Sequence, residues 1–404
     1  MNTESGEEFG EREWIDPQAP TTGETARVDG KVQEKPASDP VSPADVVTAE
    51  DALSALAASW DAPRGPAIAT GLQSLDAALY GGLRPGAVVL VGGPAGAGKS
   101  IVSGQVAYHA ARDGACVLYA SVEMDASELA ARWLSARHFA GAIGPQELGA
   151  LEPIPYGALL AGRHNRERDT ELARAAEHIR GETAGRLRVM KVSPGMTAND
   201  LATAAQRARD VTKADRVLLI IDPLQRLYVA QQGAIDARVA ASLNQSETER
   251  VGAVAQQVKA LAETVGLAVW CNSDTTKAAV RGAESSETSL RGSYMLNHAA
   301  TLVMSIATSD DHDGERVVTA IAGQSPSAND RERFADTIRR ALPPWWERDH
   351  RARESLGGSV AVLECTKNRN GPKPETIGAL LRTVATFYTS NTEGEALPRK
   401  KGRR

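Results

Sequence analysis

Cysteine is scarce in this sequence of 404 residues, where Cys116, Cys271 and Cys365 each stand alone in an apolar run. Disulfide frameworks and cysteine-based zinc sites need cysteines at paired spacings, so the pattern argues against both. No run of about 18 apolar residues occurs, and no transmembrane helix is predicted. The acidic N-terminal residues contain no apolar stretch, unlike a secretory signal. We therefore expect a cytoplasmic protein without a membrane partner.

Net charge is also missing from most of the chain. Residues 1–50 sum to −8 and residues 391–404 to +3, and because the whole chain carries −5, residues 51–390 are neutral. A neutral body lacks the broad basic surface of a protein that coats duplex DNA, although it allows a local basic pore or groove. The acidic stretch has too few apolar residues to offset its ordering entropy. We predict a disordered acidic tail over residues 1–65 and a basic tail over residues 391–404.

From about residue 66 the chain alternates short apolar runs with amphipathic stretches. The apolar runs predict strands over residues 87–93, 116–122, 187–192, 216–222, 267–272 and 301–307. The amphipathic stretches predict helices over residues 99–112, 126–138, 169–180, 198–212 and 246–265. Fully apolar strands that alternate with helices are typical of a parallel sheet covered on both faces. The sequence therefore predicts an α/β fold with a mostly parallel twisted sheet.

The C-terminal third follows a different pattern. Further apolar runs at residues 316–322, 360–367 and 375–382 predict edge strands or β-hairpins. Residues 324–358 are polar and charged, and we predict an insertion there with one helix at 329–341. Its Trp345-Trp346 pair could dock a partner or a base, but a satellite hydrophobic cluster is the commoner arrangement.

A phosphate-binding loop (P-loop) follows the first predicted strand. It consists of Gly93, Pro94, Ala95, Gly96, Ala97, Gly98, Lys99 and Ser100 and leads into a predicted helix with Ile101. Glycines let backbone N–H groups curl around phosphate oxygens at a helix N-terminus, where the helix dipole favours negative charge. The lysine of such a loop reaches the β- and γ-phosphates, and its serine hydroxyl ligates Mg²⁺. The motif predicts an ATP site with Lys99 catalytic and Ser100 a metal ligand, rather than an ordinary glycine-rich turn.

Two acidic residues follow other predicted strands. Asp222 ends a buried strand, at the sheet edge where such folds bind ligands. Asp after a strand is a common turn former, but beside a P-loop we predict that Asp222 holds Mg²⁺ through water. Glu123 follows the strand at 116–122, which we expect to neighbour the P-loop strand, and we predict that it is the base that activates water. A helix-starting acid favoured by the helix dipole is the alternative for Glu123.

Five stretches together make the chain resemble a known family. They are Thr70–Asp76 with Gly81–Gly86, the P-loop, Ser121–Met124, Ile221–Gln225 and Thr366–Pro372. In them the chain is similar to the RecA-like motor domain of DnaB-type replicative helicases and of the related plasmid RepA-type ATPases. Residues 290–298 are more similar to the RepA-type branch. The resemblance covers roughly residues 66–390 and implies a RecA-like ATPase domain that uses ATP and Mg²⁺.

The last of these stretches implies an assembly. In the family, the lysine and arginine of a Lys-x-Arg-Asn-Gly-Pro motif reach the γ-phosphate of the neighbouring subunit, and Lys367 and Arg369 match them. An arginine supplied in trans stabilises the charge spread over the γ-phosphate oxygens in the transition state. The resemblance therefore implies a homohexameric ring in which Lys367 and Arg369 are catalytic. A surface hairpin with an Asn-Gly turn is the other interpretation.

Two long loops would line the pore of such a ring. They correspond to residues 225–245 and 274–292, and their polar, small-residue composition is typical of functional loops. Their cationic residues are Arg226, Arg238, Lys277, Arg281 and Arg291. Cations along a channel track single-strand phosphates without reading sequence. Few aromatic residues that could stack on bases lie nearby, namely Tyr228 and Tyr294. The alternative is therefore that these cations are ordinary solvated charges of the loops.

The sequence departs from the family in two places. The family has Ser-Gln after the strand at 267–272, a pair that senses the γ-phosphate, whereas this chain has Ser273-Asp274. Residues 1–65 are too few and too polar to form the accessory N-terminal helical domain of DnaB. Coupling to movement and recruitment to DNA are therefore expected to differ.

Three functions are compatible with these features. The first is a Mg-ATP-driven ring motor that translocates on or unwinds DNA, with single-stranded DNA and a loader or replication partner, in replication, repair or a mobile element. The second is an ATP-gated switch, similar to recombination mediators or KaiC-like proteins, that binds DNA or protein without unwinding. The third is a purely protein-binding ATPase of a mobile element or defence system.

Overall fold

The chain divides into two units, Met1–Arg64 and Gly65–Arg404. The structure, a computed structural model, describes residues 27–28, 31–32, 48–58, 67–142, 153–228, 247–274, 296, 298–309, 336–343, 345–347 and 349–389. The basic tail predicted over residues 391–404 lies outside the described residues.

The first unit contains three short elements. Strands β1 (Arg27–Val28) and β2 (Lys31–Val32) pair antiparallel, and helix α1 spans Ala49–Ala58. The Thr48 hydroxyl accepts the Asp51 amide at 3.1 Å, which satisfies one open donor of the first turn. The alanine- and leucine-rich sequence that follows favours a helix. These three elements lie within residues 1–65, for which the sequence predicts a disordered tail.

The second unit is built on one sheet. In chain order its strands are β3 (Val88–Gly93), β4 (Cys116–Ser121), β5 (Leu187–Lys191), β6 (Val217–Asp222), β7 (Ala268–Asp274), β8 (Leu302–Ser309), β9 (Gly358–Asn368), β10 (Glu375–Leu381) and β11 (Thr386–Tyr388). Across the sheet the order is β11-β10-β9-β8-β3-β7-β6-β4-β5. Strands β8 to β5 in this order are parallel, and β9, β10 and β11 pair antiparallel. The predicted mostly parallel sheet is confirmed.

The predicted strand positions agree with the structure to within two residues for the six parallel strands. The hairpin predicted from residues 360–367 and 375–382 is also present, as β9 and β10. The short strand β11 was missed because three residues carry too little pattern. The strand predicted at 316–322 lies outside the described residues.

Helices cover both faces of the sheet, as predicted. They are α2 (Gln73–Ala78), α3 (Lys99–Arg112), α4 (Ala126–Ala142), α5 (Tyr156–Leu160), α6 (Asp169–Thr183), α7 (Ala198–Thr212), α8 (Glu247–Val265) and α9 (His350–Ser355). One buried cluster joins α2 and α3 to the sheet, and a second joins α7 and α8 to the other face. The five predicted helices are present, whereas α2, α5 and α9 are too short to have shown a helical period.

A third buried cluster lies against the antiparallel strands. Trp345 and Trp346 are 5% and 2% exposed and pack there with Phe139 and with residues of β9 and β10. These two indole rings therefore belong to a hydrophobic cluster rather than to an open docking surface. Of the insertion helix predicted at 329–341, residues 336–341 are helical, and the rest lies outside the described residues. None of the described helices is long and apolar enough to cross a membrane.

Candidate nucleotide site

The carboxyl ends of the parallel strands bring the predicted site residues to one sheet edge. In the register of β3 with β7, Gly93 is level with Asp274. In the register of β4 with β6, Ser121 is level with Asp222. The P-loop therefore shares its edge with both aspartates, as predicted for Asp222, because side chains at the same level of a parallel sheet emerge together.

Two P-loop glycines have no room for a side chain. A Cβ on Gly93 would lie 2.5 Å from a methyl of Ile306, and one on Gly98 would lie 2.6 Å from Leu380. Gly98 also has φ of +95°, and Gly96 has φ of +79°, a conformation that other residues rarely adopt. Gly98 forms the N-terminal cap of α3. The glycines thus let the loop turn tightly into the helix and present backbone N–H groups at its positive end.

The ammonium group of Lys99 lies inside the loop. Its Nζ donates to the carbonyl oxygens of Gly93 at 2.8 Å and Pro94 at 3.0 Å. It also forms an ion pair with Asp274 Oδ1 at 3.0 Å. The residue is only 9% exposed, so its charge sits where phosphates bind to such loops.

A chain of buried hydrogen bonds fixes Asp222. The Tyr119 hydroxyl donates to Asp222 Oδ2 at 2.7 Å, and it lies 2.9 Å from Ser103 Oγ on α3. Ser103 Oγ in turn accepts from the side-chain amide of Asn272 on β7 at 3.0 Å. Burial, followed by the charge of Asp222, raises the pKa of Tyr119 well above its usual value, so the phenol stays protonated and remains a donor.

Ser100 and Asp222 suit a magnesium ion. Mg²⁺ prefers hard oxygen ligands and is commonly held by few protein groups together with substrate phosphates. A hydroxyl in the first turn of α3 and a carboxylate at the same sheet edge provide such a donor set. Among the described residues, no cluster of three or more His, Cys, Asp or Glu could hold a metal ion by itself.

Glu123 lies farther from the P-loop strand than its sequence position predicts. Strands β7 and β6 stand between β3 and β4, so the expectation that Glu123 follows a neighbouring strand is wrong. Three strand spacings amount to about 14 Å. Its actual neighbour is Asp222, whose carbonyl oxygen accepts the Val122 amide at 3.1 Å. Glu123 is exposed at the same edge of the sheet. To act as the base, its side chain has to extend along that edge toward the P-loop.

Lys367 and Arg369 lie at the opposite edge of the sheet. The Arg369 amide donates to Thr301 O at 3.1 Å, and the Thr301 amide donates to Val88 O at 2.8 Å. Arg369 is therefore level with Val88, five residues before Gly93, or about 16 Å along the strand. Two strand spacings separate it sideways as well. No arginine side chain covers that distance, so Arg369 cannot reach the P-loop of its own chain.

Local contacts hold both cations against the turn before β8. The Arg369 guanidinium donates to His298 O, and Lys367 Nζ donates to Ala300 O at 3.0 Å. Burial, followed by the charges of Arg369 and Lys259, lowers the pKa of Lys367.

The first predicted DNA-binding loop is anchored at its start. Arg226 is exposed in a 3-10 turn over Leu224–Arg226. Arg250 of α8 donates to Leu227 O at 2.6 Å and places its guanidinium 5.9 Å from the centre of the Tyr228 ring. Four of the predicted DNA-binding cations and one aromatic residue lie outside the described residues: Arg238, Lys277, Arg281, Arg291 and Tyr294.

A cavity of about 450 Å³ opens beside the P-loop between α3, α4 and β11. Ser100 and Ile101 line its near end, and the wall continues along α3. On α4, Arg132 lies 4.3 Å from the centre of the Tyr156 ring, and Trp133 Nε1 donates to Gly104 O at 2.9 Å. The volume lies within the range of small-ligand sites. Its walls combine α3, α4, α6 and β11, which are separated in the sequence, so no local pattern could predict this cavity.

The far end of the cavity contains shifted titratable groups. Burial, followed by the charge of Arg112, lowers the pKa of His109 to about 4. Burial and a hydrogen bond to Glu182 raise the pKa of Tyr108 to about 12. Both rings are therefore neutral near pH 7.

Comparison with known proteins identifies the family. The family model of the DnaB-like helicase C terminal domain matches residues 67–377. The chain belongs to this family. This DnaB-like chain also resembles the solved ATPase domain of G40P, with a TM-score of 0.60 and 18% identity over 86% of this chain and 100% of that one.

A second solved structure, of a DnaB-like replicative helicase and its interactions with primase, matches with a TM-score of 0.58 and 17% identity, covering 85% of this chain and 67% of that one. No curated protein sequence gives a significant match. The RecA-like ATPase fold is confirmed, and the chain is a P-loop ATPase of the helicase class.

Proposed function

We propose that this DnaB-like chain is a Mg-ATP-driven motor that assembles as a ring, a homohexamer as in its family, and moves along single-stranded DNA. The observation that carries the proposal is the separation of the P-loop and Arg369 on opposite edges of one sheet. One chain thus contributes its P-loop to one nucleotide site and its Arg369 to another. A head-to-tail ring of identical subunits joins every P-loop to the Arg369 of a neighbour.

The hydrolytic chemistry follows from the edge that contains the P-loop. Backbone N–H groups of the loop and the Lys99 ammonium bind the phosphates, and Ser100 and Asp222 hold Mg²⁺, which neutralises phosphate charge when bound. Glu123 accepts a proton from the attacking water. Lys367 and Arg369 of the neighbouring subunit stabilise the charge on the γ-phosphate oxygens during transfer.

The cavity beside α3 is the place we propose for the nucleoside. Its near end is at Ser100, next to the place that we propose for the phosphates. Arg132 and Trp133 line its wall. Flat cationic and aromatic groups of this kind stack on bases without strict hydrogen-bond requirements.

Contact with DNA is assigned to the two loops that start at Gln225 and Asp274. Arg226 is the exposed cation at the start of the first loop, and the remaining predicted cations follow in sequence. Because phosphate contacts of this type do not read bases, binding should be independent of sequence and weaken steeply with salt. The helicase solved with primase interactions supports a replication partner of that kind, or a loader, in replication, repair or a mobile element.

Strand displacement is the experiment that tests the motor. A labelled oligonucleotide annealed to a longer single strand should be released by the protein with Mg-ATP. No release should occur with a non-hydrolysable analogue or with the Lys99→Ala variant. If ATP is hydrolysed and single-stranded DNA is bound but no strand is released at any salt concentration, the motor proposal fails.

The second candidate is an ATP-gated switch that binds DNA or protein without unwinding. The observation that favours it is Ser273-Asp274, because a carboxylate stands where the family has the amide that senses the γ-phosphate. A switch predicts ATP-dependent affinity for single-stranded DNA without strand release. A purely protein-binding ATPase would show no response to DNA.

A further inference from the structure

The Lys99 ammonium has three close oxygen neighbours in the structure. A lysine has three N–H donors and no acceptor. Here two of them bond to Gly93 O at 2.8 Å and Pro94 O at 3.0 Å, and the ammonium also forms an ion pair with Asp274 Oδ1 at 3.0 Å. Of these partners, the two carbonyl oxygens are neutral and Asp274 carries the negative charge. A phosphate oxygen that binds to Lys99 therefore comes close to the Asp274 carboxylate.

The backbone fixes Asp274 beside the P-loop. Asp274 ends β7 and is level with Gly93 in the register of the two strands. The side-chain amide of Gln225 donates to Ser273 Oγ at 2.7 Å, which ties the end of β7 to the turn after β6. The carboxylate thus stays near Lys99 when its ion pair opens, because strand pairing and this hydrogen bond hold its backbone.

We propose that Asp274 is a specificity-determining residue of the nucleotide site, which lowers the affinity for a triphosphate relative to a diphosphate. The inference rests on the proposed function, in which Lys99 binds the β- and γ-phosphates. A γ-phosphate that contacts Lys99 comes to lie beside the Asp274 carboxylate, and the two negative groups repel each other. A diphosphate lacks the γ-phosphate and feels less of this repulsion.

The expected size follows from distance and exposure. Two oxygens that contact the same ammonium lie within about 6 Å of each other, where like charges interact measurably even at high dielectric. Asp274 is 43% exposed, so solvent screens much of the repulsion. We expect removal of the Asp274 charge to tighten triphosphate binding by about threefold to tenfold, and diphosphate binding by about twofold at most.

The experiment measures binding of a non-hydrolysable ATP analogue and of ADP, each with Mg²⁺, by calorimetry on wild type and Asp274→Asn. The expected result is a gain of about threefold to tenfold for the analogue that exceeds the gain for ADP and shrinks as salt is raised. Asp210→Asn is the matched control, because Asp210 lies on α7 beside Arg209, and it should change neither affinity. Asp274→Gln, which inserts the amide found in the family, serves as the second variant if Asp274→Asn folds poorly.

Two outcomes would overturn the inference. If the analogue and ADP change equally or not at all, Asp274 does not discriminate between them. If the analogue binds more weakly to both variants, the carboxylate helps to hold the triphosphate. Failure of the proposed nucleotide site, on which the inference rests, looks different, because the wild-type protein would then bind neither nucleotide, or Lys99→Ala would bind both as well as wild type.

Discussion

A mixture of two inactive variants should recover ATP hydrolysis. Lys99→Ala removes the phosphate-binding ammonium, and Arg369→Ala removes the group that we assign to the neighbouring site. Each variant alone should lose at least about a thousandfold in turnover, the usual effect of removing an arginine supplied in trans. The register that places Arg369 level with Val88, at the edge opposite the P-loop, makes the two losses separable between subunits.

The size of the recovery can be calculated. A complete site forms where an Arg369→Ala subunit contributes its intact P-loop and the next subunit, Lys99→Ala, contributes its intact arginine. With random mixing at equal amounts, about one quarter of the sites in a head-to-tail ring are complete. If sites act independently, the hydrolysis rate should approach one quarter of the wild-type rate at equal amounts of the two variants. It should be lower when either variant is in excess.

The assay is steady-state hydrolysis at constant total protein after subunit exchange, with mixed assembly verified by native mass spectrometry. Lys99→Ala mixed with the Lys99→Ala/Arg369→Ala double variant is the control, because no intact P-loop is present. Zero recovery in verified mixed rings, or full activity of Arg369→Ala alone, would refute the placement of Arg369 in the neighbouring site.

Three further predictions concern single side chains. Tyr119→Phe should lower the free energy of unfolding by about 1–3 kcal/mol, because Asp222 and Ser103 lose a buried partner. It should also raise the Mg²⁺ concentration needed for hydrolysis. The control Tyr80→Phe, at an exposed tyrosine, should change neither stability nor Mg²⁺ dependence. If Tyr119→Phe and wild type gave the same Mg²⁺ titration, Tyr119 would not position Asp222. Arg132→Ala should weaken ATP binding about tenfold and leave binding of inorganic tripolyphosphate unchanged, since only the nucleoside contact is lost. If competition titrations showed that Arg132→Ala weakens binding of ATP and of tripolyphosphate equally, the base would not bind beside Arg132.

The third concerns acid stability. The pKa of His109 is lowered from 6.5 to about 4, so the unfolded chain binds more protons and stability should fall as pH drops from about 6.5 to 4. The loss attributable to His109 is about 3 kcal/mol, and His109→Gln should flatten the unfolding free energy measured by urea denaturation over this range. An unchanged slope would show that other groups cause the acid sensitivity.

The order of the strands in the sheet could not be predicted from the sequence. The P-loop, Asp222 and the six parallel strands were predictable, because apolar runs and the glycine pattern are local signals. The strand order was not, so Glu123 was expected beside the P-loop strand although β7 and β6 lie between. Strand order depends on packing between distant segments, which a single sequence does not encode as a pattern.

The contacts of Asp274 and the cavity beside α3 show the same limit. Asp274 stood out in the sequence as a departure from the family, but its ion pair with Lys99 follows from the pairing of β3 with β7. The cavity needs α3, α4 and β11 together, and β11 is too short to predict. Local motifs therefore pointed to candidate site residues, whereas contacts that depend on tertiary packing could not be predicted from the sequence.

The most direct test of the motor is ATP hydrolysis measured with and without single-stranded DNA, on protein sized by light scattering. We predict a particle of hexamer size whose turnover rises severalfold with single-stranded DNA and falls back at high salt, because phosphate contacts are screened. A monomer-sized protein, or hydrolysis that is indifferent to DNA at every salt concentration, would contradict the account.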